Sequence, residues 1–312
     1  MILPDARSRW LAARRELVTA SDVAAILGED PRRGPLAVYC DKLGAEEQQE
    51  TVPMRRGRRF EDAIAHEYHD QTGRPVGDLP EYEITRHPDL SWLGATLDRT
   101  TDGCPAAPDP FGGTVAESRD GRVVGRVPLQ IKMAIGSARD WEEEPPLGYV
   151  VQVQVEMACA GSNWGALAAL VGPGPLATVD LVRDDAFFAA LIPALEKFRW
   201  HVEKRIPPEA DAKPGTSAAI RRLWGVPDGA TVALPDALDL VEQWEAAEHR
   251  IGAAKHTADE LENKLRARLG SASFGALKDG SFLALPLQKR AGYTVAPTSF
   301  RVLRRMRPRV RR

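Results

Sequence analysis

Residues 122–133 (RVVGRVPLQIKM), 145–160 (PPLGYVVQVQVEMACA) and 166–171 (ALAALV) read in order as strand, helix and strand, and this succession decides the fold class. In the first stretch Gln130 and Lys132 alternate with apolar Leu129, Ile131 and Met133. That is the period-two pattern of a half-buried strand, and it projects both polar side chains to one face. Pro145-Pro146 suits the opening of a helix that runs to about Ala160. Residues 178–182 read as another strand, and 186–204 as an amphipathic helix carrying Phe187, Leu191, Leu195, Phe198 and Val202. Helical periods alternating with short β-rich runs over the first two hundred residues predict an α/β chain of the α+β type, a central mixed sheet flanked by helices.

Upstream, Thr19 or Ser21 can cap a helix through residues 22–27, with Gly28 as its stop. Residues 55–72 (RRGRRFEDAIAHEYHDQT) predict a helix ending at Gly73, and 92–98 (WLGATLD) a strand followed by a loop over 101–113. Residues 115–117 are expected to form a hairpin with 122–133 around Arg119-Asp120-Gly121. Downstream, 207–217 (PPEADAKPGTS) is polar and proline-containing. It divides a domain at 1–206 from a linker at 207–235 and a C-terminal part at 236–312 made of a long helix, a hairpin and an arginine-rich tail. Along the long helix Trp244, Ala247, Ile251, Ala254, Ala258, Leu261 and Leu265 recur at steps of three and four. This heptad-like seam suits either docking on its own domain or an intermolecular coiled coil. A hairpin over 274–287 turns at Lys278-Asp279-Gly280.

At 312 residues, with 43% hydrophobic and 28% charged residues, the chain can bury a substantial core, which excludes disordered, collagen-like and disulfide-stapled classes. No apolar run approaches a membrane span and the N-terminus has no basic-then-apolar pattern, so a cytoplasmic protein without membrane partners is expected. Cys40, Cys104 and Cys159 lack any C-x-x-C pairing and are read as incidental or buried thiols. The net charge of -2 hides an asymmetry: removing residues 301–312, with their seven arginines, takes it to -9. The tail reads either as a solvated end or as a set of phosphate contacts whose affinity falls steeply with salt.

Several polar residues are candidates for chemistry. Glu61 shares a helix face with Ile64, Ala65 and Tyr68, so its carboxylate needs either a metal or an ion pair with Arg55, Arg56, Arg58 or Arg59. Asp98, at the expected strand end, is either a turn cap or a metal ligand. Lys132 on the face shared with Gln130 can orient a water nucleophile or offset phosphorane charge, while Asp98 and position 130 hold a hard cation. A three-residue alternation is also common by chance. Gln152 lies one helical turn from Glu156 and can donate to a phosphate or stay solvated. Arg14, Thr19 and Ser21 precede a helix start, where backbone N–H groups favour an anion or need only a cap.

Five ordered motifs, spread over residues 9–207, resemble the YqaJ-type viral recombinase family, the group of lambda exonuclease within the PD-(D/E)XK nucleases. They are Trp10…Arg14…Thr19-Ala20-Ser21, Gly57-x-x-x-Glu61, Ala95-Thr96-Leu97-Asp98, Leu129-Gln130-Ile131-Lys132, and Tyr149-x-x-Gln152-Val153-Gln154-x-x-Met157. The resemblance implies a restriction-endonuclease-like core that uses Mg²⁺, or Mn²⁺, to hydrolyse DNA. It implies metal roles for Glu61, Asp98, Gln130 and the Ile131 carbonyl, and a catalytic role for Lys132. It further implies 5′-phosphate binding by Arg14, Ser21 and Gln152, with Thr19, Gln154 and Arg58 as additional DNA contacts. A 5′→3′ exonuclease acting on linear duplex ends in phage recombination is expected, as a ring-shaped trimer partnered with a single-strand annealing protein.

Two departures stand out. The strand position that is Glu in the family pattern L-E-x-K is Gln130, and the residue after Asp98 is Arg99 rather than Gly. Gln130 is open to three readings: natural variation, an inactive paralogue kept for DNA binding, or an engineered replacement. An inactive DNA-end-binding protein and a structure-specific endonuclease on the same core are therefore alternative functions. Residues after 217 resemble the helical extension of many members, suited to oligomerisation, DNA binding or partner contact.

Overall fold

The computed structural model describes residues 5–44, 51–102, 127–134, 141, 143, 145–172, 174–290, 292 and 301–306. The expected strand at 115–117, its turn at 119–121 and the tail beyond 306 lie outside them. The chain forms two units, one ending at Trp224 and one beginning at Gly225.

Among the described residues the first unit runs α1 (Ala6–Glu16), β1 (Val18–Thr19), α2 (Ala20–Leu27), α3 (Pro35–Lys42), α4 (Val52–Thr72), β2 (Val76–Gly77), β3 (Thr85–Arg86), β4 (Leu93–Ala95), β5 (Arg99–Thr101), β6 (Val127–Ala134), α5 (Leu147–Ala160), β7 (Trp164–Val171), β8 (Ala177–Val182), α6 (Asp185–Lys204) and α7 (Pro214–Trp224). A mixed five-stranded sheet has the order β2-β5-β6-β7-β8, and a three-stranded one β1-β4-β3. In the larger sheet only β6 and β7 pair in parallel. A parallel pair needs a crossover, and α5 provides it.

The sheet's two faces divide by sequence parity. Val127, Leu129 and Ile131 of β6, with Ala166 and Ala168 of β7, pack on Ile64, Ala65 and Tyr68 of α4. The opposite face, including Leu167, Ala169 and Val171, packs on Val150, Val153 and Met157 of α5. Other side chains of α5, Val151, Val155 and Cys159, enter a separate cluster with α2, α3, β4 and α6. A helix apolar nearly all round is a helix buried on both sides. Close approach is required at Gly165, where a Cβ would stand 2.9 Å from Val153.

Local signals explain the boundaries. Thr19 caps α2 with Asp22 as its capping-box partner, and Gly28 closes it at φ 86°. Helix α4 begins at Val52, three residues before the predicted start, because Thr51 caps it by accepting from the Met54 N–H and Pro53 suits its first turn; Gly73 ends it. The strand predicted over 92–98 is shorter. It stops at Ala95, because β4 belongs to the small sheet and β5 to the large one, so the chain changes sheets across residues 96–98.

The segment read as a linker contains α7, which belongs to the first unit. Gly215 donates its N–H to the Arg32 carbonyl at 2.8 Å, Arg222 pairs with Asp41 at 3.3 Å, and Ala219 is fully buried. The amphipathic run after Pro214 thus outweighs its polar prelude.

In the second unit, α8 (Leu238–Leu269) is a single 32-residue helix without a buried residue. Ile251, Leu261 and Leu265 of the predicted seam are exposed. Strands β9 (Phe274–Ala276) and β10 (Phe282–Ala284) form the expected antiparallel hairpin.

Candidate active site

The pairing of β5 with β6 builds the centre of the site. Arg99 is opposite Leu129 in the antiparallel register, so one step further Asp98 faces Gln130. The Ile131 N–H donates to Asp98 Oδ2 at 2.9 Å, and Gln130 Nε2 donates to the same oxygen. Gln130 is 1% exposed. Its Oε1 accepts from Gln152 Nε2, which also donates to Glu156 Oε1 at 2.8 Å. Gln152 and Glu156 are four residues apart on α5 and share its face toward β6. Two amides thus bridge the carboxylates of Asp98 and Glu156.

Lys132, two residues beyond Gln130 on the same strand face, holds its Nζ 5.3 Å from the Tyr149 ring centroid, and that ring stacks on Trp141 at 5.2 Å. Its ammonium lowers the proton affinity of both Asp98 and Glu156 without cancelling their surroundings. Burial raises the Asp98 pKa against the opposing pull of Lys132, the Ile131 N–H and Arg99. Burial, then repulsion from Asp98, pushes Glu156 up to about 8. Burial, then Asp98, also raises Glu61, which Arg99 partly offsets.

The cation bonded to Glu61 comes from β5, not from residues 55–59. Arg99 Nη1 donates to Glu61 Oε1 at 2.7 Å and to the Asp98 carbonyl at 2.6 Å, while the same guanidinium pairs with Asp62 and with Asp78 at 3.2 Å. Within a helix, an arginine three residues before a glutamate is the less favourable order, so an outside partner prevails. Arg58 is exposed on α4.

A second charged group surrounds Asp22. Arg14 donates to Ser21 Oγ at 2.8 Å and to Thr19 Oγ1 at 3.3 Å, and lies over the Trp10 ring. Lys42 bonds Asp22 at 2.6 Å and the Arg14 carbonyl at 2.8 Å, and Arg33 stands 3.6 Å from Asp22. Burial alone would raise the Asp22 pKa, but Lys42, Arg33 and Arg14 hold it well below the usual carboxylate range. Burial lowers Arg14. Thr96 Oγ1 accepts from both Trp10 and Arg14, so the residues 96–98 that place Asp98 also anchor this cluster.

Arg14 and Ser21 thus meet, whereas Gln152 bonds to Gln130 and Glu156. Thr19 is 1% exposed, caps α2 and donates to Asp22. Gln154 is buried, donating to the Val182 carbonyl at 2.8 Å and accepting from the Asp184 N–H at 3.0 Å, so it ties β8 to the start of α6. Sequence reasoning passed over Asp22, Arg33, Lys42 and the burial of Glu156. A lone acid in the apolar run VVQVQVEMACA was the available signal for the last.

The oxygen donors suit a hard cation: the Asp98 carboxylate, the Gln130 amide oxygen, the Ile131 carbonyl, and the neighbouring carboxylates of Glu61 and Glu156, whose proton affinities burial raises. Among the described residues no three His, Cys, Asp or Glu side chains group as a metal cage. No helix among the described residues is long and apolar enough to cross a membrane.

Protein YqaJ of Bacillus subtilis (strain 168), itself uncharacterized, is 26% identical over 282 residues, 86% of this chain and 80% of that protein. Among solved structures, LHK-Exo in complex with dAMP is 20% identical with a TM-score of 0.46, covering 70% of this chain and 98% of that one. The alkaline exonuclease LHK-Exo from Laribacter hongkongensis, in another crystal structure, is 21% identical with a TM-score of 0.45, covering 64% and 94%. A phage-related exonuclease from Haemophilus somnus 129PT is 12% identical with a TM-score of 0.41, covering 61% and 95%. Residues 9–163, which hold both charged clusters, match the family model of the YqaJ-like viral recombinase domain, and the chain carries a domain of that family.

Proposed function

We propose that the chain is a divalent-metal-dependent nuclease of DNA recombination, a 5′→3′ exonuclease acting on linear duplex ends. The observation that carries this reading is the convergence of Asp98, Gln130 and Lys132 at the β5–β6 pairing, joined through Thr96 to a cluster of three cations around Asp22. Asp98, with the Gln130 and Ile131 oxygens, would hold Mg²⁺ or Mn²⁺. Such an ion supplies polarisation of a phosphoryl oxygen and a lowered pKa for water. Lys132, braced by Tyr149, orients the attacking water and offsets developing negative charge. Arg14 and Ser21 receive the terminal 5′-phosphate, whose charge tips a cluster already rich in cations. A homotrimer, an annealing-protein partner and DNA contact by Arg58 and the arginine tail belong to the same reading.

The test is digestion of 5′-phosphorylated linear duplex beside closed circular DNA with Mg²⁺, by the unaltered protein and by Lys132→Ala. Loss of linear DNA alone, slowed about a hundredfold or more by the substitution, is expected. Cutting of circles would favour the endonuclease alternative. One observation favours the non-catalytic alternative: the Gln130 amide satisfies Asp98 by hydrogen bonding, a job a cation would otherwise perform. Binding of linear ends without digestion would establish it.

A further inference from the structure

We propose that Glu156 supplies, from α5, the metal-site carboxylate that the family pattern places at strand position 130. The inference rests on the metal-dependent reading above and goes beyond it by naming the group that makes up the missing charge.

A glutamate at 130 would set a second carboxylate against Asp98. Gln130 instead presents an N–H donor to Asp98, so the strand has lost one negative charge and one anionic ligand. A single side chain away, through Gln152 Nε2, stands Glu156. It is 1% exposed, and its Oε2 has no hydrogen-bond partner. Its helix neighbours Val155, Met157 and Cys159 are buried and apolar, and Gln152 reaches only its Oε1, so no cation on the helix compensates the carboxylate. An unpartnered buried carboxylate oxygen is stable only when an ion or a proton meets it.

The second departure from the family pattern points the same way. Arg99, in the place of Gly, pairs with Glu61 and so ties down the α4 carboxylate. Asp98 and Glu156 remain at the two ends of the Gln130–Gln152 amide pair. Two carboxylates with an amide oxygen between them, completed by waters, are an ordinary Mg²⁺ donor set.

The test is Mn²⁺ binding by calorimetry, without DNA, on the unaltered protein, Glu156→Gln, Asp98→Asn and the double variant Gln130→Glu/Glu156→Gln, with thermal unfolding in EDTA as a measure of the fold. Glu156→Gln is expected to weaken Mn²⁺ binding at least about tenfold while unfolding in EDTA at or above the original temperature. The double variant is expected to recover most of the affinity, because the carboxylate returns to the strand. Unchanged Mn²⁺ affinity in Glu156→Gln, alongside loss in Asp98→Asn, overturns the role of Glu156 and leaves the nuclease reading standing. Loss of affinity accompanied by a large fall in unfolding temperature in EDTA, without recovery in the double variant, also overturns it and marks a structural residue. If the unaltered protein binds Mn²⁺ through Glu156 yet digests no DNA, the metal site stands and the nuclease reading fails.

Discussion

The domain buries two charged networks, and they are balanced in opposite ways. Around Asp22, one carboxylate meets Lys42, Arg33 and Arg14, and its proton affinity falls. Around Asp98, burial outweighs the pull of Lys132 and Arg99, and the proton affinities of Asp98, Glu61 and Glu156 rise. A network in which cations exceed the carboxylate holds that carboxylate ionised and keeps positive charge to spare for an anion. One whose carboxylates are buried with fewer cations suits a cation from outside.

Removing a carboxylate should therefore have opposite consequences in the two places. Asp22→Ala leaves buried cations facing one another and is expected to destabilise the fold by about 3–5 kcal/mol in urea denaturation. Equal costs for Asp22→Ala and Glu156→Gln would erase the distinction.

The pH dependence of stability sharpens it. Asp22 binds its proton less tightly in the folded chain than in the unfolded one, so its contribution is present above a pH of about 3.8 and is lost on acidification below that. Glu156 binds its proton more tightly when folded. Stability therefore declines as pH rises from 4.5 to about 8 and levels off above. The difference between the unaltered protein and Glu156→Gln, measured without metal, isolates that slope, expected to be on the order of a few kcal/mol across the window.

At the small end lies the second unit, whose ion pairs are exposed. Arg266 and Glu262, 2.6 Å apart on α8, are each more than half exposed. Arg266→Ala is expected to shift the unfolding free energy by no more than about 0.5 kcal/mol.

Much of the frame was legible because its signals are local. Thr19 and Gly28 bracket α2, Gly73 ends α4, and the alternation of Gln130 with Leu129 and Ile131 reports two different faces. What escaped depends on separation in sequence. Arg99 finds Glu61 across 38 positions, and no spacing rule foretells that. The change of sheet at 96–98 moved Asp98 from the end of one strand to the threshold of the next. Gln154, two residues from Gln152 on a helix, points away from the face that Gln152 presents to β6, as helical spacing dictates. Polar residues 207–213 concealed the packed helix that follows them.

The position of α5 has a last consequence, for motion. Its side chains serve two separate hydrophobic clusters at once, and Gly165 lets β7 press against it. A helix so held cannot peel away without dissolving both cores, so its amide protons should exchange with solvent only when the whole domain opens. Gln152 and Glu156 thus ride on a helix held from both sides. Any rearrangement that opens the site must come from the elements around them.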